Sequence, residues 1–188
     1  MTRIGIHYVR SRATMKWIAR IVPAVAMLAT IPVTLAQPDP AVSVEVEVVS
    51  IAIPPDVLGA LNILAEGRSE PFEGQIAIGA VVRERMRRRY SSDGTVAGTV
   101  FEPFQFSWTN SNDPQRVRVL QWDDEDPAYQ KAMAAWLASE HLRPAGNAVL
   151  YHTEEAPRKV APWPPAWATS PKVKRVAQLG AHVFYEVI

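Results

Sequence analysis

The first acidic residue of the chain is Asp39. Before it the formal charges are all positive, at Arg3, Arg10, Arg12, Lys16 and Arg20, and an uncharged run then extends from Ile21 to Ala36. That run has 16 residues, short of the ~20 a helix needs to span a bilayer. Pro23 and Pro32 also interrupt a straight helix. A basic stretch, a short apolar stretch and small residues at Thr34 and Ala36 together read as a cleavable export signal over residues 1–36, with Met15 as a second candidate start. The alternatives are an uncleaved N-terminal membrane anchor, with transient membrane contact through residues 17–36, and a buried helix. The folded part is therefore expected to begin late: an extended linker or strand over 37–55, then a single domain over 56–188.

Charge follows the same boundary. Five of the 20 basic residues lie in the signal, which leaves 15 against 19 acidic ones, a formal charge of −4. An exported, mildly acidic domain is not expected to bind nucleic acid. The chain has no Cys, which excludes disulfides, a thiolate nucleophile and Cys-based metal sites. With 48% hydrophobic residues, the domain has the means to build an ordinary apolar core.

The periodicity predicts an α+β fold, predominantly helical with a small sheet. Val42, Val44, Val46 and Val48 alternate with polar residues in a strand-like manner. Asp56 is the expected N-cap of a first helix with an apolar stripe at Val57, Leu58, Leu61, Leu64 and Ala65, ending at Gly67. Pro71 and Gly74 mark a turn, and a second helix is expected from Gln75 to about Arg89. Its first half (IAIGAVV) reads as buried; its second (RERMRRR) reads as a solvated end or as a surface for an anionic polymer. Residues 100–108 (VFEPFQFSW) look extended. Tyr129 to Ser139 reads as a helix with Tyr129, Met133, Trp136 and Leu137 facing the core, and a final strand is expected over Ala181 to Val187.

Candidate chemistry is sparse. There is no HExxH, no Gly-rich phosphate loop and no GxSxG. The four His residues (His7, His141, His152, His182) include no pair at helical metal spacing, so neither a metal nor a cofactor is expected. Glu66 and Glu70 flank a glycine turn at the end of the first helix. A carboxyl there feels the negative end of the helix dipole, which favours the protonated form a general acid needs. The same spacing also suits two solvated turn residues. Trp108, Trp163, Trp167, Tyr151 and Tyr185 offer flat faces that stack on sugars or fill cores.

Four blocks in order resemble the catalytic domain of SleB-like (spore-cortex-lytic) cell-wall hydrolases: LAEGRSEPFEGQIAIGAVVRERM, FEPFQFSW, RPAGNAVLYHT and PPAWATSPKVKRVAQLGAHVFY. The resemblance implies a lysozyme/transglycosylase-like catalytic domain over 56–188 with Glu66 as the catalytic acid. Where the family usually reads E-A-R-G-E, this chain has Glu66-Gly67-Arg68-Ser69-Glu70, which keeps both carboxylates. By position in the blocks, Glu70, Gln105, Phe106, Ser107, Trp108, Asn147, Tyr151, His152, Trp167, His182 and Tyr185 are expected to line the substrate cleft. The implied activity is cleavage of peptidoglycan glycan strands between N-acetylmuramic acid and N-acetylglucosamine, of the lytic transglycosylase type, by a monomer in the periplasm or cell envelope. A muramidase-type phage endolysin and a non-catalytic peptidoglycan-binding module are the alternatives. Residues 37–55 are too few for the separate peptidoglycan-binding domain of many sporulation members, so cortex specificity is not implied.

Overall fold

The computed structural model describes residues 53–155 and 162–188. The expected signal over 1–36 and the alternating valines of the linker lie outside the described residues. A compact unit spans Pro54–Ile188.

Helix α1 runs over Pro55–Gly67. It starts one residue before the expected cap, because Pro55 at the first helical position has its φ already fixed and no N–H to satisfy. Asp56 therefore lies inside the first turn, where its Oδ1 accepts a 2.8 Å hydrogen bond from Trp136 Nε1. Leu58, Leu61 and Leu64 are buried as the stripe requires. Helix α2, Phe72–Arg88, begins three residues earlier than expected. Gly74 sits within its first turn rather than in the preceding turn, close against the Glu70 side chain. Residues 74–82 of α2 are buried, and Arg87 and Arg88 are exposed. The helix stops at Arg89, whose left-handed backbone (φ 52°) returns its N–H to the carbonyls of Arg85 and Met86.

Two short helices and one longer helix complete the helical layer: α3 (Val96–Val100), α4 (Pro114–Leu120) and α5 (Pro127–Ala138). Both α4 and α5 open on an Asp-Pro pair, with Asp113 accepting from the Gln115 N–H and Asp126 from the Ala128 N–H. On α5, Tyr129 and Trp136 are buried, but Leu137 is exposed, since one residue turns the helix by about 100°. Residues 100–108 are not extended. Pro103 and the left-handed Phe104 (φ 65°) break any strand there, and the segment closes in a 3-10 turn over Ser107–Thr109. Glycine decides one close approach: a Cβ on Gly59 would stand 2.3 Å from the Trp136 ring, so α1 and α5 meet there only because Gly59 has none.

The sheet has three antiparallel strands, β1 (Leu150–Thr153), β2 (Val173–Leu179) and β3 (His182–Val187), in the order β1-β3-β2. Pairing of Tyr151 with Phe184 and of Thr153 with His182 fixes the register. One face thus carries Tyr151, His182 and Phe184, and the other Leu150, His152, Val183 and Tyr185. The β2–β3 hairpin turns through Gly180, whose φ of +60° is one a side chain resists.

Candidate active site

Glu66 occupies the last turn of α1. The helix end is held by Gln75 of α2, whose Nε2 donates to the Gly67 carbonyl at 2.8 Å and so satisfies a group the helix leaves unpaired. Glu66 itself is half-buried. The Tyr151 hydroxyl, from β1, donates a long 3.4 Å hydrogen bond to its Oε2. Its pKa is raised to about 7. Burial is the main cause, and the charge of Asp113 adds to it, while the Tyr151 hydrogen bond and the Arg85 cation pull the other way. Tyr151 is held well above the usual phenol range, mainly by burial, so it faces Glu66 as a neutral donor. Removal from water is the largest cause of the shift.

Arg85 is the residue the sequence reading missed. It lies within the RERMRRR run, yet it is 4% exposed, whereas Arg87 and Arg88 are at the surface. The available signal was the helical period: Ile78, Val82 and Arg85 share one face. Its Nε donates to the Val149 carbonyl at 2.6 Å, and its guanidinium lies 5.3 Å from the Phe106 ring centre. Elsewhere in the basic run, Glu84 accepts from both Arg87 and Arg88, Arg83 lies 4.0 Å over the Trp136 ring and donates to Ser139 Oγ, and Arg89 donates to the Asp93 carbonyl.

Glu70 faces the hairpin. Its Oε2 accepts the Ala181 N–H at 2.9 Å, and its Oε1 stands 3.3 Å from His182 Nδ1. A Cβ on Gly180 would come within 1.7 Å of Oε2, so only glycine fits beneath the carboxylate. Lys131 of α5 donates to the Glu70 carbonyl at 2.7 Å. Burial lowers the His182 pKa, and its ring meets Tyr151 edge-on at 5.2 Å. The two glutamates therefore have different surroundings: Glu66 is a partly accessible acid, and Glu70, 6% exposed, joins α2 to the β2–β3 turn. Glu70→Gln is expected to destabilise the domain by about 1–2 kcal/mol through loss of a charge-assisted hydrogen bond. Amide hydrogen exchange checks this, with faster exchange at Ala181 as the expected signature.

The other expected cleft residues are divided between separate places. Tyr151 and His182 share the Glu66 side of the sheet. His152 and Tyr185 lie on the opposite face, where His152 Nε2 and the Tyr185 hydroxyl are 3.0 Å apart and Trp163 and Trp167 pack edge-on against the His152 ring. Trp108 and Phe106 are each 1% exposed. Trp108 Nε1 donates to Asn62 Oδ1 at 2.9 Å, which makes it a core residue and not a surface for sugar stacking. Gln105 is half-buried, and Ser107 and Asn147 are exposed, with the Asn147 N–H donating to Glu186. Among the described residues, no three His, Asp or Glu side chains stand together as metal ligands.

A carboxyl with a raised folded pKa makes stability depend on pH. Its protonated form is favoured in the fold, so the full stability is present below the ordinary value of 4.5 and is lost as pH rises through about 7. The loss is on the order of 3 kcal/mol for a shift of this size. Glu66→Gln is expected to remove it. Urea melts should show the variant more stable than wild type at alkaline pH and nearly equal to it in acid.

Residues 69–185 match the family described as Cell Wall Hydrolase. Glu66 stands just ahead of that stretch. The spore cortex-lytic enzyme of Oceanobacillus iheyensis is 31% identical over 134 residues, covering 68% of this chain and 40% of the relative. That of Bacillus subtilis is 30% identical over 134 residues, covering 68% and 36%. The chain thus spans well under half the length of these curated relatives. Among solved structures, the catalytic domain of the germination-specific lytic transglycosylase SleB from Bacillus anthracis superposes with a TM-score of 0.54 at 25% identity, over 72% of this chain and 97% of that one. The catalytic domain of Bacillus cereus SleB gives a TM-score of 0.53 at 24% identity, over 72% and 93%. The fold is accordingly the lysozyme-like α+β fold of those domains. With the family match spanning most of the compact unit, this chain belongs to the SleB-like cell wall hydrolase family.

Proposed function

We propose that this protein cleaves peptidoglycan glycan strands between N-acetylmuramic acid and N-acetylglucosamine as a lytic transglycosylase, with Glu66 as its single acid–base group. The observation that carries this reading is a half-buried carboxyl with its pKa near neutrality, hydrogen-bonded by a neutral tyrosine. Glu66 gives its proton to the bridging oxygen as the glycosidic bond breaks through an oxocarbenium-like state. The resulting carboxylate takes the proton of the muramyl 6-hydroxyl, whose oxygen closes on the anomeric carbon to form the 1,6-anhydro ring. Glu66 ends protonated, as it began.

In this reading one carboxyl serves both steps, while its neighbours have other tasks. Glu70 holds the hairpin, and Asp113 caps α4. A double-displacement glycosidase needs a second free carboxylate about 5–5.5 Å from the first. A non-catalytic binding module would have no use for an acid tuned to this range. The phage-lysis alternative would use the same residue, with water in place of the 6-hydroxyl. Export through residues 1–36 to the periplasm or cell envelope suits a substrate that lies outside the cytoplasm.

The test is a pH profile of peptidoglycan solubilisation by the purified protein. The protonated acid is required for the first step, so activity should fall as pH rises through about 7. A profile flat across that range would overturn the role given to Glu66.

A further inference from the structure

Arg85 has an unmet hydrogen bond. Its Nε is committed to the Val149 carbonyl and its plane is packed near Phe106, but Nη1 is buried and, among the described residues, has no acceptor. A buried guanidinium N–H left unpaired is costly. Such a group is explained when another state of the same molecule supplies its acceptor. The ionisable groups that act on Arg85 are Glu66 from α1, Tyr151 from β1 and Tyr90 beyond the end of α2. Asp113, ahead of α4, also faces Glu66, but its Oδ1 already accepts the Gln115 N–H. Of these, only Glu66 changes charge during the proposed cycle.

We infer that Arg85 is a positioning residue whose unpaired Nη1 receives the Glu66 carboxylate after it has given up its proton, and releases it when the proton returns from the sugar 6-hydroxyl. Burial favours the acid form, the neutral Tyr151 hydroxyl donates to the carboxyl throughout, and the Arg85 cation adds a second donor for the ionised form. Proton balance is unchanged: one proton leaves Glu66 for the bridging oxygen, and one comes back from the 6-hydroxyl. The inference rests on the acid–base role proposed above, and it adds what keeps the carboxylate in place between the two transfers.

The direct test uses the wild-type protein without substrate. Crystal structures at about pH 5 and about pH 9 bracket the Glu66 value. The expected result is Glu66 on the Tyr151 hydroxyl in acid and within hydrogen-bond distance of Arg85 Nη1 in alkali. Nη1 unpaired at both pH values would overturn the inference. Variants supply a functional readout. In Arg85→Gln the loss of a nearby cation should move the alkaline limb of the activity profile up by about one unit and cut turnover at least about tenfold. Arg85→Lys keeps the charge but has no Nη1, and should hold the limb near its wild-type place while recovering only part of the turnover. A wild-type pH profile and turnover in folded Arg85→Gln would contradict the inference, whereas full activity in Glu66→Gln would instead remove the acid–base role on which it rests.

Discussion

Glu66→Gln is expected to abolish peptidoglycan cleavage while leaving the fold intact. The amide matches the carboxyl in size and can still accept the Tyr151 hydrogen bond, but it has no proton to give. General acid–base catalysis contributes about 10²–10⁴-fold, and here one group serves both transfers, so the loss should fall at the upper end. Dye release from labelled peptidoglycan gives the rate, and circular dichroism with a thermal melt shows that the variant is folded. The variant should also be the more stable protein above neutral pH, because the cost of burying an ionised Glu66 disappears. An inactive but stabilised variant marks a residue retained for chemistry at the expense of the fold. Glu70→Gln offers the contrast: it should lower stability and slow turnover several-fold without abolishing it, since Glu70 reaches the site only through the hairpin and His182.

The second large effect is structural. Trp108→Ala should cost about 3–5 kcal/mol by opening a cavity, out of a total domain stability on the order of 5–15 kcal/mol. Trp108 is 1% exposed, tilts against Phe101 at 6.2 Å, and supplies the donor for Asn62 Oδ1. Asn62 is itself fully buried, and its Nδ2 has no partner among the described residues, so losing the indole would leave both of its polar ends unsatisfied. Trp108→Phe should retain most of the packing and cost about 1–3 kcal/mol for the orphaned acceptor. Thermal melts should rank wild type, Phe and Ala in that order, with KM for peptidoglycan unchanged in the folded Phe variant. A raised KM with an unchanged melting temperature would return Trp108 to the sugar-binding surface.

These two residues show what a single sequence discloses. Glu66 was singled out through the family resemblance, because its local signals (a helical stripe, a terminating glycine and a paired carboxylate) equally suit two solvated turn residues. Trp108 was legible only as an aromatic, since burial is decided by contact with Asn62, 46 residues away. Arg85 was hidden for a related reason. In a run of arginines, charge suggests solvent, while the helical period carries its side chain to the same face as Ile78 and Val82. The sheet illustrates a third limit. Tyr151 and His152 are adjacent in sequence, but strand alternation sends one towards Glu66 and the other to the far face with Tyr185, Trp163 and Trp167. Which of the two faces the acid depends on pairing with β3, a register no local pattern specifies. Helix α4 was also missed although its signal was present. Asp113-Pro114 caps and starts it just as Asp126-Pro127 does α5, but seven residues give too short a stripe to recognise.

The central claim is that one carboxyl acts as acid and then as base, and the products record whether it does. Mass spectrometry of purified peptidoglycan digested by the protein should find muropeptides one water lighter than hydrolysis products, ending in 1,6-anhydro-muramyl groups with no reducing end. Reducing muramyl ends would show that water, not the 6-hydroxyl, completes the reaction, and would contradict the account.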